Sequence, residues 1–491
     1  MKLKIQQVTQ KLPEVLIIPI IQEYLQTSLK EVEEWSGIKA DTLAEDFDGS
    51  FKKTHSFYNI HSHSNKKIIL IGLGKSLDFS NMLKAFRMLS SKMKGKLPKE
   101  LGIYFSQSWS KKNVFPNLLE AAINGWVIGQ YNIGLYKTSK KKTKKAIPQV
   151  SWFLDQKIEP IHRKALTRGQ ACAETQASIL DLVNAPANHK RPKVLADWAK
   201  ASAKANNFQC KVLDKKQIEK LEMGALLAVN RGSEDPPHFI IMEHKPKKKN
   251  VRKVGLIGKG ITFDTGGLSI KGSQNMHYMK SDMGGAAAVL GAMELVAKLD
   301  LPLHVIGIVP TTDNSVDALS VKPGDVITSY SKKTIEIIDT DAEGRLILAD
   351  GIAYMNEKFK PEIMVDLATL TGSCFRTLGY QAGGLFTNNE ALAEALLEAG
   401  ESTGELLWRL PLWDSYKKDI ESEIADIKNL SSKPLAGASV AAKFLEFFTE
   451  EHEAWAHLDI AGVALGNTEL GKGLNATAYG VRLLVEFLEN L

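Results

Sequence analysis

Apolar positions along the chain fall into two patterns. Val15-Leu16-Ile17-Ile18-Pro19-Ile20 and Lys67-Ile68-Ile69-Leu70-Ile71-Gly72 are short, continuous, β-branched runs of strand length, whereas 82–93 and 118–130 space their apolar residues at helical intervals. This alternation predicts a smaller N-terminal α/β domain over residues 1–165. A helix-like run over 166–185 then links it to a second domain, 166–491, and is broken by Asn184-Ala185-Pro186-Ala187-Asn188. Further on, strands are predicted at 208–213, 239–243, 254–257, 305–309, 334–338 and 363–367, with helices at 194–205, 284–296 and 346–355. That order predicts a mixed, largely parallel sheet flanked by helices.

Two stretches stand out against this pattern. After the buried run Val254-Gly255-Leu256-Ile257, the chain from Gly258 to Asp282 reads as a loop that uses Gly258, Gly260, Gly266, Gly267 and Gly272 and carries Lys259, Asp264, Lys271 and Asp282. After Thr334-Ile335-Glu336-Ile337-Ile338 comes Asp339-Thr340-Asp341-Ala342-Glu343-Gly344-Arg345. Charged residues just past buried strands stand where α/β folds build their sites.

Composition narrows the class. A chain of 491 residues, 44% hydrophobic and 24% charged, exceeds one ordinary core and has the balance of a globular protein. No apolar run approaches the length of a membrane span, and the start, MKLKIQQVTQKLPEV, lacks a secretory segment, so a cytoplasmic location is expected. Cys172, Cys210 and Cys374 are too far apart for CxxC metal spacing and suit a reducing compartment. The net charge of +7 is modest, but lysines cluster in KTSKKKTKK, from Lys137 to Lys145, and KPKKKNVRK, from Lys245 to Lys253. Clustered lysines attract phosphate, so a nucleic-acid-binding protein is the alternative reading; solvated loops are favoured because no aromatic residues are interleaved. Gly72-Leu73-Gly74-Lys75-Ser76 lacks the first glycine of a phosphate loop and reads as a strand-to-loop turn, and His55, His61 and His63 read as a polar hairpin.

The chemistry lies in Asp264, Asp282, Asp341 and Glu343. Crowded carboxylates repel and take up protons unless cations hold them apart, and a pair of divalent ions bridged by carboxylate would do so and activate water for hydrolysis. Alternatively, Asp282 and Glu343 could cap helices while the others form surface ion pairs. Spacing alone does not choose between these. Phe263 stands where a dinucleotide loop needs its third glycine, and neither an HExxH helix nor a GxSxG elbow is present.

The segments Gly258-Lys259-Gly260-Ile261-Thr262-Phe263-Asp264-Thr265-Gly266-Gly267, Ser281-Asp282-Met283-Gly284-Gly285-Ala286-Ala287 and Thr340-Asp341-Ala342-Glu343-Gly344-Arg345-Leu346 closely resemble the motifs of the leucyl (cytosol) aminopeptidase family of dinuclear metallopeptidases. The likeness continues through Met223-Gly224-Ala225-Leu226-Leu227, Pro323-Gly324-Asp325-Val326, Ala368-Thr369-Leu370-Thr371-Gly372 and Trp455-Ala456-His457-Leu458-Asp459-Ile460-Ala461-Gly462, covering roughly residues 165–491. The resemblance implies two divalent metal ions per subunit, zinc or manganese, with magnesium or cobalt as substitutes. Asp264 and Glu343 would bridge them, Asp341 would complete one site, and Lys259 and Asp282 would complete the other. It further implies Lys271 as the group that polarises the scissile carbonyl. Arg345, with Gly344 and Leu370, would hold a bicarbonate that acts as general base. Met279, Thr369, Gly372 and Ala461 would receive the first side chain of a peptide substrate, bulky and apolar by preference. A homohexamer is also implied.

Two departures from the family's pattern bear on the site. Asp339 stands where the family usually has Asn, adding charge beside a ligand or simply facing solvent in a turn. Ala464 stands where some relatives carry methionine, which predicts a roomier pocket, and the nearby Cys374 reads as a buried, inert thiol.

Overall fold

The computed structural model describes residues 1–8, 12–59, 67–138 and 148–491. His61, His63 and the greater part of the first lysine run lie outside the described residues. The chain forms two compact units, one of Met1–Ala177 with Glu469–Lys472 and the other of Ser178–Thr468 with Gly473–Leu491. The helix Pro160–Asn184 carries the chain from the first into the second, and the expected boundary at residue 165 falls inside it.

The first unit is a six-stranded sheet in the order Lys2–Gln7, Gln149–Leu154, Glu100–Phe105, Val15–Ile20, Lys67–Gly72, Thr54–Tyr58. Only the last strand, which carries His55, runs antiparallel to its neighbour. Both apolar runs singled out by pattern are inner strands, buried along nearly their whole length, as expected where both faces are covered. Alternation in Val15–Ile20 sends Leu16, Ile18 and Ile20 into a cluster with Leu29, Val32 and Leu43. Ile17 instead packs with residues of the helices Phe79–Lys92 and Phe115–Gly129.

In the second unit a nine-stranded sheet runs in the order Leu407–Arg409, Gly383–Thr387, Trp455–Asp459, Ile363–Ala368, Lys253–Gly258, His304–Asn314, His238–His244, Gln209–Leu213, with Gly260–Asp264 pairing beside His304–Asn314. Its three central pairings, from Trp455–Asp459 across to His304–Asn314, are parallel, while His238–His244 and Gln209–Leu213 join antiparallel, so the sheet is mixed and largely parallel. The almost wholly buried helix Gly284–Lys298 and the helix Glu343–Phe359 pack against it. The second lysine run is an exposed connection between His238–His244 and Lys253–Gly258.

Two expectations need correction. The stretch 334–338 does not join the large sheet: Thr334–Glu336 lies in a separate three-stranded sheet with Val326–Thr328 and Ile427–Lys428, because only Ile335 and Ile337 offer a buried face. Nor is 258–282 wholly a loop. Gly260–Asp264 is a strand paired to Thr311, Thr312 and Asn314, and Met276–Ser281 forms helical turns.

Candidate metal centre

The residues singled out above converge at the carboxyl ends of the parallel strands, where doubly wound sheets open a crevice. Lys259 follows Lys253–Gly258, Asp264 ends Gly260–Asp264, Thr369 follows Ile363–Ala368, and Asp341 and Glu343 stand at the start of the helix Glu343–Phe359. Carboxylate oxygens of Asp264, Asp341 and Glu343 all lie within 4.8 Å of one another, a grouping able to hold a metal ion.

Two lysines neutralise part of this charge. Lys259 Nζ stands 2.8 Å from Asp282 Oδ2, 2.8 Å from Glu343 Oε1 and donates to Thr369 O at 2.9 Å. Lys271 Nζ is 2.8 Å from Asp264 Oδ2 and also pairs with Asp341. Four carboxylates therefore face two ammonium groups. Asp282 Oδ2, Asp341 Oδ1 and both Glu343 oxygens receive no hydrogen bond, although all but Glu343 Oε2 have a lysine beside them as an ion-pair partner. Buried acceptors are normally satisfied, so this excess of negative charge fits cationic ligands.

The titration directions agree. Burial, with Asp264 and Glu343 beside it, pushes Asp341 up to about 7, and burial likewise raises Asp282 and Glu343. Burial alone would lower Lys259, but Asp282, Glu343 and Asp264 outweigh it and hold the ammonium above its ordinary value. Lys271 is raised in the same way, with Asp264 and Asp341 overcoming burial.

Local backbone explains how the groups come together. Gly266, at φ +89°, turns the chain so that its N–H meets Asp264 Oδ1 at 2.9 Å. A β-carbon on Gly344 would lie 2.5 Å from Lys259 Cε, so the glycine is the space through which that lysine passes. Asp282 and Glu343 do not cap helices: the helices Gly284–Lys298 and Glu343–Phe359 have no side-chain cap, and Asp282 Oδ1 instead accepts the Thr369 hydroxyl at 2.7 Å. Asp339 does not merely face solvent, since its Oδ1 accepts the Asp341 N–H at 2.8 Å.

Arg345 is 4% exposed and donates from one terminal nitrogen to Asn429 O at 2.7 Å, while its Nε has no partner. Burial brings it down to about 10, against the pull of Glu343, Asp459, Asp339 and Asp341. A buried guanidinium with free donor capacity suits a small planar anion. The Leu370 N–H points to Asp459 Oδ1 at 3.1 Å. Of the expected pocket residues, Thr369 and Ala464 approach Gly284, where a β-carbon would lie 3.1 and 3.0 Å from their side chains. Ala461 is tied to Asp459, exposed Gly372 opens the helix Gly372–Leu378, and partly buried Met279 is linked to the cluster by its carbonyl, which accepts the Asp282 N–H at 3.2 Å. Burial raises the Cys374 thiol, in keeping with an unreactive side chain.

Sequence reasoning missed several supports. Asn314 Nδ2 donates to Asp264 Oδ1 at 2.8 Å and to Thr340 O at 3.0 Å. Asn429 accepts from Ile338 N and donates to Asp339 O. Lone asparagines carry no motif, whereas Asp459 stood inside a quoted segment and could have been found there.

The chain matches the family model described as "Cytosol aminopeptidase family, catalytic domain" over residues 178–485 and "Cytosol aminopeptidase family, N-terminal domain" over 38–140. A probable cytosol aminopeptidase of Chloroherpeton thalassium is 41% identical over 493 residues, covering 97% of each chain. One from Chlorobaculum parvum is 50% identical over 322 residues, covering 66% of this chain and 64% of its own. Among solved structures, a tomato leucine aminopeptidase mutant superposes with a TM-score of 0.89 at 30% identity, covering 100% of this chain and 97% of that one.

Proposed function

The chain belongs to the cytosol aminopeptidase family and is an aminopeptidase, and on that premise we propose a two-metal, leucyl-type enzyme that removes bulky apolar N-terminal residues from peptides. The observation that carries this reading is the group of buried Asp264 and Glu343 with partly exposed Asp341, whose oxygens lie within 4.8 Å of one another and exceed the positive charge of the two lysines beside them. Asp264 and Glu343 would bridge two divalent ions, with Asp341 on one and Asp282 on the other beside Lys259, which could serve as a ligand only as the neutral amine left when the cations displace its proton. When bound, zinc or manganese ions, or magnesium or cobalt in their place, would supply Lewis acidity, a water of lowered pKa and an anchor for the substrate's free α-amine.

The protein's own residues do the rest. Lys271, on a glycine-rich segment and only partly buried, can donate to the carbonyl oxygen of the scissile bond as negative charge grows there, once Asp264 and Asp341 are otherwise neutralised. Arg345, with the backbone at Gly344 and Leu370, would hold bicarbonate, which would supply a general base there. Thr369 steadies Lys259 through its carbonyl and Asp282 through its hydroxyl. Thr369, Ala464, Gly372, Ala461 and Met279 would line the space for the first side chain. Cytoplasmic location and a homohexamer belong to the same proposal; no helix among the described residues is long and apolar enough to cross a membrane.

The test is a panel of aminoacyl amides and peptides with free or acetylated N-termini. Leucyl and phenylalanyl substrates with free amines should be cleaved fastest and acetylated ones not at all. Comparable cleavage of acetylated peptides would refute the exopeptidase reading, and a flat profile across first residues would refute the apolar preference.

A further inference from the structure

One buried carboxylate at the edge of the site is neither a proposed metal ligand nor a proposed catalytic group, though it accepts the N–H of Leu370, whose backbone the bicarbonate reading uses. Asp459 ends the strand Trp455–Asp459 and is 1% exposed. Its Oδ1 accepts the backbone N–H groups of Leu370 and Ala461, each at 3.1 Å, and more distantly that of Thr371 at 3.4 Å. Its Oδ2 accepts the Thr371 hydroxyl at 2.6 Å. That hydroxyl oxygen in turn accepts the Cys374 N–H at 3.0 Å, so its proton is committed to Asp459 while its lone pair caps the helix Gly372–Leu378.

These bonds join two segments that leave adjacent parallel strands. Ala368 and Asp459 are in register, and the Ile460 N–H reaches Ala368 O at 2.8 Å, so the strand ends are already fixed. Beyond them the bonds to Asp459 tie 369–372 directly to 460–464, beside the packing of Thr369 and Ala464 about Gly284. Those segments carry Thr369 and Gly372 on one side and Ala461 and Ala464 on the other. Four donors converge on one carboxylate, and charge-assisted bonds of this kind are roughly twice as strong as neutral ones. An amide would offer a single acceptor oxygen and present N–H groups to a hydroxyl whose proton needs an acceptor.

We propose that Asp459 is a positioning residue for substrate selection, its carboxylate setting the spacing of the two segments that receive the first side chain. This rests on the aminopeptidase reading above. The geometry makes the effect selective. A first side chain that fills the pocket depends on that spacing, while an alanyl side chain reaches little of it.

The experiment compares wild type, Asp459→Asn, Thr371→Val and Thr371→Ser on leucyl and alanyl amides, with metal content and melting temperature measured on the same preparations. Asp459→Asn should keep its metal and lower kcat/KM for the leucyl substrate about tenfold more than for the alanyl one, the scale of a mis-sized apolar pocket, mainly through KM. Thr371→Val, which removes the Oδ2 bond together with the cap on Cys374 N–H, should shift the ratio in the same direction by less, and Thr371→Ser, which keeps both, should restore it. Should Asp459→Asn fail to fold, the Thr371 pair decides alone. An unchanged leucyl-to-alanyl ratio in the folded variants, or equal losses on both substrates with lost metal, would overturn the proposal. Failure of the wild type to cleave either amide would instead overturn the aminopeptidase reading on which it rests.

Discussion

Lys259 and Lys271 are both surrounded by carboxylates, yet their settings differ. Lys259 is 3% exposed and held by three oxygens at 2.8 to 2.9 Å, whereas Lys271 rides on an irregular segment with part of its side chain exposed. The first is built into the site; the second can turn toward a ligand. Lys271→Ala should therefore fold and keep its metal, as should Arg345→Ala, while kcat falls by about 10²- to 10³-fold, the usual cost of removing a donor aimed at developing charge. KM should move much less, because both groups act on the transition state more than on bound substrate. Steady-state kinetics with metal analysis would check this, and full kcat at normal metal content in either variant would strike that residue from the mechanism.

The helix Glu343–Phe359 shows how one element serves both chemistry and stability. Its first turn supplies Glu343 and Arg345, and further along, wholly buried Asp350 accepts Leu226 N–H at 2.9 Å and Tyr330 N–H at 2.8 Å. Leu226 lies in the first turn of Gly224–Asn230, so Asp350 satisfies a helix end from a distant part of the chain. Burial outweighs these hydrogen bonds and pushes its carboxyl up to about 7. An aspartate in an unfolded chain titrates near 4, so the folded state holds the proton more tightly. The stability this contributes is complete below about pH 4 and is lost as pH rises through about 7. Across that window the melting temperature of wild type should fall relative to that of Asp350→Asn, which has nothing to titrate there. Asp350→Ala should be destabilised by roughly 2–5 kcal/mol at acidic pH, where the wild-type carboxyl contributes fully, since it strands two buried N–H groups, and by less as pH rises through about 7. A pH-independent difference between wild type and Asp350→Asn would contradict the shift. Element boundaries also show what was legible in advance. Val15–Ile20 and Lys67–Gly72 could be read to the residue because strands buried on both faces are continuous apolar runs. The helix Glu343–Phe359 begins three residues before its expected start, because Glu343, Gly344 and Arg345 are buried for reasons of chemistry that hydrophobic periodicity does not register. Gly260–Asp264 was hidden by the glycines on either side of Lys259 and by following another strand directly, and periodicity could not assign Thr334–Glu336 to a separate small sheet.

At the scale of the molecule, all the proposed ligands and catalytic groups lie in the unit Ser178–Thr468 with Gly473–Leu491. They come from segments near 259–282, 339–345, 369–372 and 459–464, three of which meet because the sheet sets Lys253–Gly258, Ile363–Ala368 and Trp455–Asp459 side by side, while 339–345 arrives at the start of the helix Glu343–Phe359. The carboxylates and lysines were legible through their motif likeness. Their partners Asn314 and Asn429 were not, because a hydrogen bond across tens of residues leaves no trace in local spacing. The central claim is that this convergence holds two divalent ions needed for peptide hydrolysis. The most direct measurement strips the protein with a chelator and titrates manganese or zinc back while following both bound metal and leucyl-amide hydrolysis, in wild type and in Asp264→Ala. Activity should vanish on stripping and return as about two ions bind per chain. Asp264→Ala should fold yet fail on both counts. Hydrolysis that persists in verified metal-free protein, or full activity in Asp264→Ala, would contradict the account.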